Sequence, residues 1–301
     1  PRLVHYLVPG GDVSRLEGRG GFVVLKSASE LETLSANEEI EGSVVADLHH
    51  DHPPQWAKAL ATASLKGIPV YHFRLIEETL TGEVRVTHLR ENEFGTLIPN
   101  SPYRPFKRAI DLSLVLSLAP VFIPLMAIIA LVIRLDGGGG VFFRQERLGY
   151  RGRFFTMVKF RTMRDREVAQ NTASLRNDAV TQDEDERITR VGRWLRKTRM
   201  DELPQVWNIL KGEMSWIGPR PEAAELAKWY EEELPFYTYR HIVQPGITGW
   251  AQVNQGHVSA VDDVKKKLRF DFYYIKNLSL WLDVLIALKT IRVILGGIGA
   301  K

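Results

Sequence analysis

The chain contains no cysteine, so disulfides, thiolate catalysis and cysteine-based zinc sites are excluded. It contains no G-x-G-x-x-G between a strand and a helix. Gly10-Gly11 and the glycines at 18, 20 and 21 punctuate the first stretch without forming that fingerprint, so no dinucleotide site is expected there. Charge is missing from Leu112 to Ile133, and acid is missing from Arg187 to Met200. No secretory n-region and h-region stand at the start. The chain opens Pro1-Arg2-Leu3 and is read as part of a longer or processed protein.

What remains is an ordinary globular composition: 301 residues, 45% hydrophobic and 25% charged. A packed core is expected, in two domains or in one domain plus a module. The net charge of +4 and pI of about 9.2 suit phosphate ligands or an anionic lipid surface and diagnose neither.

Residues 1–100 alternate short β-rich runs with helical patterns. Leu3–Val8, Phe22–Leu25, Ser43–Asp47 and Ile68–Phe73 read as strands, and Gln55–Lys66 as a helix opened by Pro53-Pro54. Alternation of this kind predicts a small parallel α/β unit. His49-His50-Asp51-His52 could be a metal cluster. A polar loop at a strand end is the favoured reading, because adjacent side chains point apart and rarely ligate one ion.

A linker is expected around 101–106, within Asn100-Ser101-Pro102-Tyr103-Arg104-Pro105. The uncharged run that follows has 22 residues, about 33 Å of helix, enough to enter or cross a bilayer. Pro120 and Pro124 interrupt it, and each removes a helix hydrogen bond. Both flanks are basic: Lys107 and Arg108 before, Arg134, Arg144 and Arg147 after. The positive-inside tendency puts both ends on one side of the membrane. A helix over 107–135 that enters, bends near Pro120 and returns satisfies both features. A straight span and a buried core helix are the alternatives. Val141–Phe143 and Phe154–Phe160 look like strands around a turn at 149–152, and 164–186 like an exposed polar loop. Three amphipathic stripes follow: Ile188/Val191/Trp194/Leu195, Leu203/Val206/Trp207/Leu210, and Leu280/Trp281/Val284/Leu285/Leu288/Ile291. Helices of this kind suit a membrane interface as well as a protein surface.

Asp201-Glu202 sits at the end of a segment carrying Arg187, Arg190, Arg193, Arg196, Lys197 and Arg199. Asp201 is placed like an N-cap, where a helix dipole favours anions. A carboxylate there can attack phosphorus if metal and arginine neutralise the phosphate. Glu202 could hold Mg²⁺ through one oxygen. The plain alternative is a helix cap. Arg144 to Arg166 adds seven Arg and one Lys against two acids. Gly218-Pro219-Arg220-Pro221 holds an arginine between prolines, and Pro245-Gly246-Ile247-Thr248-Gly249-Trp250 reads as a tight turn with free amides, a candidate anion nest.

The order of these motifs resembles the bacterial sugar transferase family, the monotopic polyprenyl-phosphate phosphoglycosyl transferases. It runs Lys107-Arg108-Ala109-Ile110-Asp111, the proline-broken run, Phe143-Arg144-Gln145-Glu146-Arg147-Leu148-Gly149, Lys159-Phe160-Arg161-Thr162-Met163 and Arg187-Ile188-Thr189-Arg190-Val191-Gly192. Asp201-Glu202-Leu203-Pro204-Gln205, Gly218-Pro219-Arg220-Pro221 and Pro245-Gly246-Ile247-Thr248-Gly249 complete it. The resemblance covers about 105–301. It implies an α+β monotopic catalytic domain over 136–301, with a re-entrant helix and interfacial helices, on the cytoplasmic face of a bacterial inner membrane. It implies transfer of a hexose-1-phosphate from a UDP-sugar to polyprenyl (undecaprenyl) phosphate, starting assembly of exopolysaccharide, O-antigen or capsule. Asp201 would attack the sugar-bearing phosphate, UMP would leave, and the lipid phosphate would take the phosphosugar from the aspartyl enzyme. Glu202 would bind Mg²⁺. Arg196, Arg220, Lys159, Arg161, Arg147, Gln145 and Thr248 would bind substrate. Lys107 and Arg108 would meet phospholipid headgroups, and Pro120 would make the bend.

Many relatives have Ser before that Pro and Ser-Leu before the dyad, where this chain has Ala119, Arg199 and Met200. The first departure removes a hydroxyl from the bend, and the second leaves the dyad intact. Residues 1–100 resemble, more weakly, the Rossmann-like α/β domain of larger members. Homodimerisation, regulation and a nucleotide-like ligand are all open roles for it. Two rival classes remain. A non-catalytic membrane scaffold has no need of both Asp201 and Glu202. A nucleic-acid binder does not account for the apolar run.

Overall fold

The computed structural model describes residues 4–16, 18–48, 50–84, 102–136, 139–164, 187–255 and 261–295. The expected polar loop between 164 and 187 and the chain's last six residues lie outside them. The chain divides into two compact units, Pro1–Glu83 and Val84–Lys301.

The first unit is built on four short parallel strands, β1 (Val4–Leu7), β2 (Phe22–Val24), β3 (Gly42–Ala46) and β4 (Val70–His72), in the order β2-β1-β3-β4. Side chains alternate across a strand, so β3 serves two cores at once. Val44 and Ala46 join Leu31 of α1 (Ala28–Ala36) and Leu60 of α2 (Pro54–Leu65) on one face. Val45 joins Leu7, Leu16 and Phe73, the first residue of α3 (Phe73–Thr81), on the other. Burial on both faces is why β3 reads as an apolar run. Ser27 caps α1 by accepting from the Glu30 amide (3.2 Å), while Glu30 accepts from the Lys26 amide (2.6 Å). Pro54 opens α2 at its first turn, where its missing N–H costs nothing. The parallel α/β reading holds, with strand ends within three residues of expectation. His52 turns its ring nitrogen to the Asp47 carbonyl (2.9 Å), and no group of three metal-ligating side chains forms among the described residues.

The second unit begins with α4 (Tyr103–Asp136), a single 34-residue helix carrying both prolines. It starts inside the expected linker, because Pro105 falls in its first turn. Its buried residues lie at the two ends: Lys107, Asp111 and Val115, then Ile129 and Ile133. Between them Leu116, Val121, Ile123 and Ile128 are each 60% exposed or more. By length and composition it could cross a membrane.

An antiparallel hairpin follows, β5 (Phe142–Leu148) and β6 (Phe154–Phe160). Next come α5 (Arg190–Thr198), a 3-10 turn over Met200–Gln205, and α6 (Val206–Lys211). Thr189 caps α5 by accepting from the Gly192 amide (2.9 Å). Gly192 is required there, since a Cβ would lie 2.1 Å from the Thr162 carbonyl oxygen. Strands β7 (Ser215–Ile217) and β8 (Gly246–Thr248) pair in parallel, with α7 (Ala224–Glu233) between them in sequence. The unit closes with α8 (Trp250–Gln255), α9 (Val261–Lys276) and α10 (Leu280–Leu295). Its largest core gathers Tyr230, Tyr237, Phe272, Tyr274 and Ile286. The third apolar stripe faces outward: Leu280, Trp281, Leu288 and Ile291 are more than half exposed, while Leu282, Asp283 and Ile286 turn in. Trp194 of α5 and Trp207 of α6 are also more than half exposed.

Two local expectations are corrected. Residues 246–248 form a strand rather than a turn with free amides. The Gly246 amide donates to the Pro219 carbonyl (3.0 Å), and the Thr248 carbonyl accepts from the Gly218 amide (2.8 Å). Asp201 is not an N-cap, because α6 starts five residues later and the 3-10 turn intervenes.

Candidate active site

Four pieces of the second unit converge on Asp201 and Glu202. Strand β6 delivers Lys159 near its end. The last turn of α5 delivers Arg196. The segment after β7 delivers Arg220. The 3-10 turn itself carries the dyad. Arg199, at the junction of α5 and that turn, is left-handed (φ 60°, ψ 14°). For a residue with a Cβ that conformation costs on the order of 1–2 kcal/mol, and strain of this kind gathers at functional sites.

The two acids are adjacent in sequence, equally buried and differently held. They are 8% and 6% exposed. Glu202 Oε1 accepts from Arg220 Nη2 at 2.8 Å and from Lys159 Nζ at 3.4 Å, with Arg199 Nη1 at 3.9 Å. Among the described residues Asp201 takes no hydrogen bond and no ion pair, though Lys159, Arg220 and Arg196 all act on it electrostatically. Burial pushes Asp201 above the usual carboxylate range. Lys159, Arg220 and Arg196 pull it back, and the charge of Glu202 adds to the rise. Burial also acts to raise Glu202, but Arg220 and Lys159 outweigh it and hold Glu202 well below the usual range. Burial lowers Lys159, and Glu202 opposes that. Neighbouring environments thus separate two like groups into a fixed anion and a poised one.

The cations are themselves fixed from behind. Arg240, 3% exposed, donates through Nη2 to the Arg220 carbonyl (2.8 Å) and to Asp271 Oδ2 (2.9 Å), and through Nη1 to the Tyr237 hydroxyl (2.8 Å). Arg147 Nη1 donates to the Pro221 carbonyl (3.0 Å) and Nη2 to Gln145 Oε1 (2.6 Å). Burial lowers Arg147 to about 10. Glu222 pairs with Lys267 and faces Arg240 at 3.9 Å. Although burial would raise it, Lys267 and Arg240 hold Glu222 down to about 2.

Of the sequence-predicted residues, Lys159, Arg196 and Arg220 surround the dyad. Gln145 and Arg147 brace the backbone beside Arg220. Thr248 is in β8, its hydroxyl on Thr290 Oγ1 (2.8 Å), and the Arg161 amide donates to the Val141 carbonyl (2.9 Å). Lys107 departs from expectation. Its amine is buried on Asp283 Oδ2 (2.6 Å) rather than turned toward headgroups, because Asp283 faces inward from α10. Tyr103 and Tyr274 also donate to that carboxylate, at 2.7 and 2.9 Å. Arg108 donates to the carbonyls of Ile209 (2.5 Å) and Leu210 (2.9 Å), closing the C-terminal end of α6. Sequence reasoning missed Arg240, Asp271, Glu222 and Asp283. For Asp283 a signal existed: one acid within the apolar run of α10.

The dyad can also accommodate a divalent cation. Glu202 uses one oxygen for Arg220 and Lys159, and Asp201 lies free beside it. One or two carboxylates plus phosphate oxygens form a common magnesium donor set.

Residues 102–297 match the family model described as bacterial sugar transferase. A UDP-N-acetylgalactosamine-undecaprenyl-phosphate N-acetylgalactosaminephosphotransferase of Aeromonas hydrophila is 49% identical over 260 residues, 86% of this chain and 60% of its own. A UDP-glucose:undecaprenyl-phosphate glucose-1-phosphate transferase of Xanthomonas campestris pv. campestris is 35% identical over 306 residues, covering 97% and 61%. A UDP-galactose-lipid carrier transferase of Erwinia amylovora is 35% identical over 268 residues, covering 82% and 53%. The chain therefore spans little more than half the length of these relatives.

Proposed function

The chain belongs to the bacterial sugar transferase family, and from that premise we propose that it transfers a sugar-1-phosphate from a UDP-sugar to undecaprenyl phosphate. The observation that carries this reading is the asymmetry of the dyad. Glu202 is locked as an anion by Arg220 and Lys159, while Asp201 is buried, unbonded and surrounded by cations. An aspartate in that state suits nucleophilic attack on phosphorus. Its oxygen bonds to the sugar-bearing phosphorus of the diphosphate, the bond to the bridging oxygen breaks, and UMP leaves. An oxygen of the lipid phosphate then attacks the same phosphorus and displaces Asp201. Lys159, Arg220 and Arg196 offset the charge that gathers on the equatorial oxygens. A magnesium ion on Glu202 would supply further charge neutralisation.

The membrane placement rests on α4. Its buried residues lie at both ends and none lies between 116 and 128. A helix that leaves the body, enters one leaflet, bends near Pro120 and returns would have that pattern. The outward Trp281, Trp207 and Trp194 suit a headgroup layer. In this reading the domain from 136 to 301 is catalytic, on the cytoplasmic face of the inner membrane, and residues 1–100 are accessory. The nearby relatives use N-acetylgalactosamine, glucose and galactose donors by name.

The test is UMP release in detergent with Mg²⁺ and undecaprenyl phosphate, using those three UDP-sugars, beside Asp201→Asn. Release with one donor, abolished by the substitution, is expected. Release that survives Asp201→Asn would rule out the nucleophile, and no release with any donor would favour a scaffold.

A further inference from the structure

Strand β6 is paired along one edge only. Strand β5 occupies that edge, and no other strand of the described residues takes the opposite one. On the opposite edge sits the side chain of Asn208, from the middle of α6 and 0% exposed. Its Nδ2 donates to the Thr156 carbonyl (2.8 Å), and its Oδ1 accepts from the Val158 amide (3.2 Å). Those are the groups, two residues apart, that a neighbouring strand would engage. The same Nδ2 also donates to Glu213 Oε2 (2.7 Å), and the Glu213 amide returns to the Asn208 carbonyl (3.0 Å) across the Gly212 turn. The side-chain amide is thus fixed by three contacts, two of them on β6. The next residue after Val158 is Lys159, one of the two cations hydrogen-bonded to Glu202 Oε1.

We propose that Asn208 is a positioning residue for the reaction: its side-chain amide stands in for a missing strand and sets the backbone from which Lys159 reaches Glu202. Asn208 touches neither acid of the dyad and acts through Lys159. This rests on the reading of Asp201 and Glu202 above. It explains why a fully buried amide, with no part in the apolar core, occupies the middle of a six-residue helix. It also makes the arrangement symmetrical. Arg220, the other cation hydrogen-bonded to Glu202, is held by Arg240 through its carbonyl, and Lys159 follows the Val158 amide that Asn208 holds.

The test is a double-mutant cycle between Asn208→Ala and Lys159→Met, with donor turnover and side-chain accessibility both read. Asn208→Ala is expected to lower kcat for UMP release by about tenfold or more, with donor KM changed by less than about twofold. In the Lys159→Met background the same substitution should cost less than about twofold, because the residue it acts through is gone. Amine-reactive labelling of Lys159, referenced to Lys197 and Lys228, should quicken in Asn208→Ala. Glu213→Ala, at a half-buried position, should move both readouts in the same direction by a smaller factor, and it carries the test if Asn208→Ala does not fold. Equal losses in the two backgrounds, or Lys159 labelling unchanged in a folded variant, would overturn the proposal. A wild-type protein that releases no UMP would defeat the transferase reading instead, and the labelling would still decide whether Asn208 holds Lys159.

Discussion

The two units are built on opposite rules. In the first, apolar side chains fill both faces of the sheet, and Glu77 is the only acid or base among its described residues that is buried. In the second, Lys107, Asp111, Asp201, Glu202, Arg240, Asp271 and Asp283 are buried, while Leu116, Val121, Ile123, Leu131 and Trp281 are at least 60% exposed. The second hides charge and shows hydrocarbon, which is costly in water but consistent with a protein that meets lipid on one side and a charged substrate on the other. Glu202, Arg240, Asp271, Lys107 and Asp283 sit in hydrogen-bonded sets, as burial requires, and Asp201 is the exception.

Asp201→Asn is the largest test of this contrast, because it alters the one buried acid without a bonded partner in the dyad. We expect UMP release to fall by about 10⁴-fold with folding intact, read by turnover beside a thermal melt. The pH dependence of the wild type should follow the same residue. Asp201 is reactive as a carboxylate and is shifted upward, so the first step should be slow below its raised pKa, rise as pH increases through it, and level off above. Glu202, shifted down, should add no limb in that range. A rate that falls with rising pH would contradict the assignment.

Next in size is Arg240→Met, which strands Asp271 in the interior. Removing one partner of a buried pair costs about 3–5 kcal/mol, so detergent-solubilised protein should unfold at markedly lower denaturant. Asp271→Asn should be milder, since it leaves an amide that can still accept from Arg240. A smaller effect is expected from Trp281→Ser on the outward face of α10: weaker partition to anionic liposomes with little change in melting. An equal loss of melting temperature would mean that this face is packed rather than lipid-facing. The smallest is in the first unit, where Ser27→Ala should cost about 1 kcal/mol through the lost helix cap and leave liposome binding unchanged.

Features that were legible in the sequence are local. The short β-rich runs marked β1 to β4. The uncharged run and its basic flanks marked α4, and the Asp-Glu pair among arginines marked the dyad. The features that were not legible depend on distant partners. Lys107 turns inward because of Asp283, 176 positions on, so a flanking lysine that looks lipid-facing is not. Arg240 finds Asp271 across 31 positions, with no pattern in either segment. The N-cap reading of Asp201 failed at one residue, since the left-handed Arg199 tightens the chain into a 3-10 turn before α6 begins. The amides of 246–248 look free in a glycine-containing turn until β7 and the residues after it lie alongside, where the Pro219 carbonyl takes the Gly246 amide.

The most direct measurement is intact-protein mass after mixing with UDP-sugar and Mg²⁺ and no lipid acceptor. A gain equal to one sugar-phosphate, mapped to Asp201 and matched by about one equivalent of UMP, is the expected result. Unmodified protein, with UMP released only when undecaprenyl phosphate is also present, would mean that Asp201 is not the nucleophile.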